Sequence, residues 1–262
     1  MSAPPAATSA ATSVSTAPVI AIASGKGGVG KTWLAITLAQ AFAQANQRTL
    51  LFDGDLGLAN VDIQLGLVPE RDLVAVAQGR CRLKDAAIPY PAGGFDIVAG
   101  RSGSGSLANL PAWQLEGLMR ELHAATADYD RLVLDLGAGV DTTVRHLAAQ
   151  AGICLVVATD EPTSLTDAYA FIKVSLAERP AADLRIVVNL ATSRGAGEST
   201  YRTLARACQQ FLKSNPPLAG IIRRDSRVRD AIRAQTSFLN RYPTAEAAAD
   251  VCELADRLLR AA

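Results

Sequence analysis

Two lysines, Lys26 and Lys31, share one glycine-rich stretch, "SGKGGVGKTWLA", residues 24–35. The run from Gly25 to Thr32 matches G-x-x-x-x-G-K-[ST], with Gly25, Gly30, Lys31 and Thr32 in the required places. Such a pattern holds phosphate. Gly25, Gly27, Gly28 and Gly30, with Val29 between them, let backbone N–H groups turn inward around phosphate oxygens. A helix starting at Lys31 adds the positive end of its dipole. Lys31 reaches the β- and γ-phosphates, and the Thr32 hydroxyl can ligate Mg²⁺. One lysine suffices for that work, so Lys26 needs a separate explanation.

Carboxylates complete such a site. Asp135 ends the apolar run "RLVLD", the place for an acidic residue near Mg²⁺. Asp53 and Asp55 follow another apolar run in "LLFDGDLGLAN". One of them could be a helix cap or a turn former. Two beside a phosphate loop suggest that one positions an attacking water.

The elements that must place these residues are legible as short apolar runs. They are 19–24, 48–53, 95–99, 131–135, 153–158, 184–189 and 218–222. Each is unbroken rather than alternating, as in strands buried on both faces of a parallel sheet. Between them lie helical periodicities. Leu34, Leu38 and Phe42 repeat within 31–45, and Tyr201, Leu204, Ala205, Cys208, Phe211 and Leu212 form a stripe within 199–213. Strands alternating with helices predict an α/β fold: a doubly wound, mostly parallel sheet with helices on both faces, in one domain over residues 19–262. Residues 1–18 hold only Met, Ala, Ser, Thr, Pro and Val without charge. They read as a disordered tail and lack the features of a signal peptide.

The bulk numbers agree with a globular domain. Of 262 residues, 49% are apolar and 19% charged, with a formal net charge of +1. No global charge argument for nucleic acid or membrane follows. Cys81, Cys154, Cys208 and Cys252 have no C-x-x-C spacing, which favours free thiols in a reducing cytoplasm over zinc or a redox pair. His123 and His146 have no nucleophile or metal pattern around them and read as structural. No apolar run is long enough to span a bilayer.

The loop "KGGVGKT" resembles the deviant Walker A motif of the MinD/ParA ATPases. The resemblance runs from about residue 19 to 258. It implies ATP and ADP as ligands, Mg²⁺-dependent hydrolysis that is weak and partner-stimulated, and an ATP-dependent homodimer. It gives Lys26 the role of reaching across that dimer to the partner's nucleotide. "DGDLGLANVDIQLGL" resembles switch I, which makes Asp55 the water-positioning carboxylate, Asp53 a neighbour of the Mg²⁺ shell and Asn60 a residue near the dimer interface. "DLGAG" resembles switch II, with Asp135 near Mg²⁺ and Gly137 and Gly139 allowing movement. Asn189, ending "RIVVN", matches the asparagine that reads adenine.

Within the family, "DGDLGLANVDIQLGL", "DLGAGV" and "TDEPTSLTDAYAFIK" are most similar to the flagellar-number regulators FlhG and FleN. That subgroup implies a protein partner such as an FlhF-like GTPase or a switch-complex protein, and recruitment to a cell pole. Departures concern partners. Residues 1–18 do not resemble the subgroup's glutamine-containing helix. The last predicted helix, 244–261, carries Val251, Leu254, Ala255 and Leu258 as a core stripe. Glu246, Asp250, Glu253 and Asp256 lie on its polar face, with Arg257 and Arg260. That face is unsuited to an anionic membrane, so membrane binding is not expected. Arg223 stands where the family has proline near the adenine pocket, and Trp33 where asparagine is commoner. The alternative is a ParA-type partition ATPase that binds DNA nonspecifically through Arg223, Arg224, Arg227, Arg229, Arg233 and Arg241. Asp225 and Asp230 interleave that cluster. A nonhydrolysing interaction module is disfavoured by the intact set of Lys31, Thr32, Asp55 and Asp135. An electron-transfer ATPase is disfavoured by the cysteine placement.

Overall fold

The computed structural model describes residues 18–100 and 110–260. The predicted tail therefore falls outside the described residues, apart from Pro18. In chain order the elements are β1 (Val19–Ser24), α1 (Lys31–Gln44), β2 (Thr49–Gly54), α2 (Val61–Leu65), α3 (Leu73–Ala77), α4 (Leu83–Ala86), β3 (Ile88–Tyr90) and β4 (Phe95–Val98). There follow α5 (Ala112–Ala125), β5 (Arg131–Ala138), α6 (Thr142–Ala148), β6 (Ile153–Ala158), α7 (Pro162–Glu178), β7 (Leu184–Ala191), α8 (Arg194–Leu212), β8 (Leu218–Arg223), α9 (Arg227–Arg233), α10 (Phe238–Arg241) and α11 (Glu246–Arg260).

The strands form one sheet in the order β3-β4-β2-β5-β1-β6-β7-β8. Every pairing is parallel except β3 with β4. All seven apolar runs read from the sequence lie in this sheet. The sequence pattern missed β3, which has three residues with Pro89 in the middle. Proline is tolerated there because β3 is an edge strand and Pro89 need not donate to a second neighbour.

Alternate residues of each strand serve opposite faces. In β1, Ala21 and Ala23 join the core under α3–α8, while Ile20 and Ile22 join the core under α1, α2 and α9–α11. In β5, Leu132, Leu134 and Leu136 face the first core and Val133 the second. By that alternation Asp53 and Asp135 both point to the α1 side. β1 is the switch point, with β5 on one flank and β6 on the other, and ligands of such sheets bind beyond the carboxyl ends of the strands there.

Two side chains differ from expectation. Phe211, placed on the α8 core stripe, is 67% exposed; the buried stripe is Gly197, Leu204 and Cys208. Asp250, placed on the polar face of α11, is buried. Arg223 and Arg194 reach it and supply the charge that makes its burial tolerable. Val251, Leu254, Ala255 and Leu258 are buried as the α11 pattern predicted. No described helix is long and apolar enough to cross a membrane.

Candidate functional site

The carboxyl ends of β1, β2 and β5 converge on one corner of the sheet. The loop from β1 to α1 passes through two left-handed residues, Gly28 at φ +77° and Gly30 at φ +89°. Any Cβ at Gly30 would also lie 2.5 Å from Asn189 Nδ2. Gly25 is held by packing instead: a Cβ there would come 2.0 Å from the backbone carbonyl oxygen of Asp167 on α7. Ser24 Oγ donates to Lys26 O at 2.6 Å, tightening the turn. Asn189, buried at the end of β7, donates from Nδ2 to Val29 O at 2.8 Å. In this arrangement it braces the phosphate loop.

Lys31 is only 8% exposed at the start of α1. Burial lowers its pKa, and Asp135 and Asp55 act in the opposite direction. Asp53 and Asp135 occupy paired positions on β2 and β5. Desolvation pushes Asp135 up to about 8; Asp53 pushes it the same way, while Thr32 and Lys31 oppose. Thr32 is close enough to ease that ionisation, but neither carboxylate oxygen of Asp135 has a partner of hydrogen-bonding geometry. Desolvation pushes Asp53 up to about 7, against the backbone N–H groups of Val61, Asp55 and Asn60 that it accepts. Those bonds, at 3.1 to 3.3 Å, tie Asp53 to the start of α2.

Two buried carboxylates side by side, one with both oxygens unsatisfied, are short of positive charge. A divalent cation bound by oxygen ligands fits that deficit. Asp135 and the Thr32 hydroxyl are the groups available to it. Asp53 is a neighbour already committed to backbone donors.

Asp55 sits on the loop after β2, half-buried, with Oδ1 accepting from Leu58 N at 3.0 Å. A Cβ at Gly137 would stand 3.3 Å from the same oxygen, so the glycine leaves room for this carboxylate. Asn60 is exposed and folds its amide onto Leu58 O.

Lys26 contacts the start of α7. Its Nζ lies 2.5 Å from Glu161 Oε2 and 2.8 Å from Thr163 Oγ1, at the start of α7. Sequence reasoning did not single out Glu161 or Thr163. Both lie inside the quoted stretch "TDEPTSLTDAYAFIK", where their identity alone did not show which residue would meet them.

The departures also find places. Trp33 is buried edge-on against Phe238. The Arg223 guanidinium is bound by Asp250 at 2.8 and 2.9 Å and by Glu246 at 2.5 Å. Arg227 is paired with Asp225 at 2.7 Å. Two members of the arginine cluster are thus neutralised internally. Arg224 is exposed, as are Arg229 and Arg233.

The family described as the CobQ/CobB/MinD/ParA nucleotide binding domain matches residues 20–238. The chain belongs to that family. It is similar to the antiactivator FleN of Pseudomonas aeruginosa, at 39% identity over 229 residues, spanning 87% of this chain and 81% of that relative. Its fold is similar to that of the cell division ATPase MinD of Pyrococcus furiosus, with a TM-score of 0.79, 22% identity and coverage of 94% and 99% of the two chains. The septum site-determining protein MinD of Pyrococcus horikoshii, complexed with Mg-ADP, superposes with a TM-score of 0.77 at 21% identity, over 92% of this chain and 96% of that one. This family member is thus a nucleotide-binding P-loop ATPase similar to FleN, with a doubly wound, mostly parallel sheet.

Proposed function

We propose that this protein is an ATP-driven dimerising switch that regulates flagellar number or placement. The observation that carries the reading is the buried, unpartnered Asp135 beside Lys31 and Thr32 at the mouth of the phosphate loop. Backbone N–H groups from Gly25 to Lys31 cradle the phosphates. Lys31 balances their charge, and Asp55 orients the attacking water. Thr32 and Asp135 hold Mg²⁺, with Asp53 fixing the loop beside it. A magnesium ion there supplies charge neutralisation to the phosphate oxygens. Asn189 keeps the loop in register beside the nucleotide base.

Lys26 has a double use on this reading. Within one chain it rests on Glu161 and Thr163. That pair is partly exposed, so solvent screens it and leaving it costs little. In the dimer Lys26 turns to the partner's nucleotide, which makes nucleotide and dimerisation interdependent. Similarity to an antiactivator suggests that a partner protein is an activator or an assembly factor of the flagellum, and that hydrolysis releases it. The protein acts in the cytoplasm.

Sedimentation with ATP and Mg²⁺ should give a dimer, and with ADP a monomer. Lys26→Ala should lose the dimer while still binding nucleotide. Introduced into Pseudomonas aeruginosa lacking FleN, the wild-type chain should restore normal flagellar number and Lys26→Ala should not. A dimer unaffected by nucleotide, or no restoration by the wild type, would refute the switch or the flagellar role respectively.

A further inference from the structure

Among the described residues, Asn46, Leu190, Lys213 and Gln235 have positive φ without being glycine. Asn46, Lys213 and Gln235 stand at the ends of α1, α8 and α9, where a left-handed residue commonly closes a helix. Leu190, at φ +58°, lies inside β7. A leucine in that region is strained, and it persists only where its surroundings hold it.

Those surroundings are the pairing of β7 with β8. Val188 is opposite Ile221 and Ala191 opposite Arg223, so Asn189 and Leu190 together stand opposite Ile222. This is a β-bulge, and the left-handed residue of such a bulge is ordinarily glycine. Arg224 N donates to Ala191 O at 2.8 Å and fixes the far side. The bulge breaks the alternation of the strand. Val187 packs on the α1 side, and Asn189 reaches Val29 on that side. In a regular strand Ala191 would follow them. Instead it joins the opposite core with Ile186 and Val188. Asn189 is thereby the last β7 side chain on the phosphate-loop side. Leu190 is half-buried and belongs to neither core, so packing does not explain its strained backbone.

Asn189 fits the loop closely. It is 2% exposed, and its Nδ2 donates to Val29 O at 2.8 Å. The same nitrogen leaves no room for a Cβ at Gly30, which would lie 2.5 Å away. A small rotation of the end of β7 would take the amide off the Val29 carbonyl. On the reading of residues 25–32 as a phosphate site, we propose that Leu190 is a positioning residue: its left-handed backbone aims Asn189 at Val29 and so holds the phosphate loop in its ligand-binding shape. The backbone performs this role, not the leucine side chain. Residues that accept positive φ should therefore replace Leu190, and β-branched residues should not.

The probes are ATP and inorganic tripolyphosphate, each with Mg²⁺, titrated calorimetrically into the full chain at a temperature where far-UV circular dichroism shows every variant folded. Leu190→Asn and Leu190→Gly should bind both probes as the wild type does. Leu190→Val should bind both about tenfold more weakly, the loss expected of one hydrogen bond. Should Leu190→Val not fold, Leu190→Thr, β-branched but more polar, takes its place. Leu190→Val combined with Asn189→Ala should bind no more weakly than Asn189→Ala alone, because the first acts through the second. A residue that served stability alone would lower the melting temperature of Leu190→Val and leave both dissociation constants unchanged, which would overturn the proposal. So would Leu190→Asn binding as weakly as Leu190→Val, which would assign the effect to the side chain, or losses that add in the double variant. A loss confined to ATP would place Leu190 against the base and also overturn it. A wild type that binds neither probe would refute the phosphate-site reading itself, whereas a wild type that binds both, with the variants out of this order, refutes the role of Leu190 alone.

Discussion

Replacing Asp135 with Asn tests the electrostatics of the site directly. The carboxyl is about 1% exposed, has no hydrogen-bond partner, and holds its proton up to about pH 8. The unfolded chain releases that proton near pH 4. A folded-state pKa raised above the unfolded value means that stability is full below pH 4 and is lost as pH rises towards 8. Each pH unit between the two corresponds to about 1.4 kcal/mol, so the ceiling is on the order of 5 kcal/mol. Asp53 titrates beside it and shares the burden, so an effect of about 2–3 kcal/mol is expected. Without magnesium, Asp135→Asn should therefore match the wild type at pH 4 and be more stable by that amount at pH 8. Urea unfolding at a series of pH values, in the presence of a chelator, measures the difference. The same substitution should abolish the stabilisation that Mg²⁺ with ATP gives the wild type, since a ligand stabilises only by binding the folded state. A variant less stable than the wild type at pH 8, or a difference independent of pH, would refute the account of Asp135 as an uncompensated buried charge.

Asp55→Ala should bind ATP, hydrolyse it about a hundredfold more slowly, and accumulate as a dimer; wild-type turnover would exclude the water-positioning role. Glu161→Gln should release Lys26 from its resting contact and lower the ATP concentration needed for dimerisation, read by sedimentation; an unchanged threshold would show that the contact does not compete with the dimer. Arg223→Ala should destabilise by about 2–3 kcal/mol, because among the described residues it leaves the buried Asp250 with Arg194 as its remaining ion-pair partner. Adding Asp250→Ala should then cost less than the two single losses summed, by urea unfolding. Gly25→Ala should weaken nucleotide binding and lower stability by about 1–3 kcal/mol, since the new methyl group meets the Asp167 carbonyl 2.0 Å away. A variant with wild-type calorimetric titration would show that α7 yields freely.

The sequence by itself determined the seven buried strands, the alternation with helices and the phosphate loop. These are local signals: unbroken apolar runs, helical periodicity and glycines at fixed spacing do not depend on distant partners. It also fixed that Asp135 ends an apolar run and that Asp53 and Asp55 follow another. The tertiary structure decided what those residues meet. Only the parallel pairing of β2 with β5 puts Asp53 beside Asp135, and there burial, the largest cause, raises both pKa values. Lys26 meets Glu161 across 135 positions of sequence, and Asn189 meets Val29 across 160, separations that no window of sequence spans. The same holds for Phe211 and Asp250. Helical periodicity names a stripe but not which neighbour covers it, so an apolar Phe211 stays exposed beside α7 and a charged Asp250 is buried because Arg223 comes to it from the end of β8.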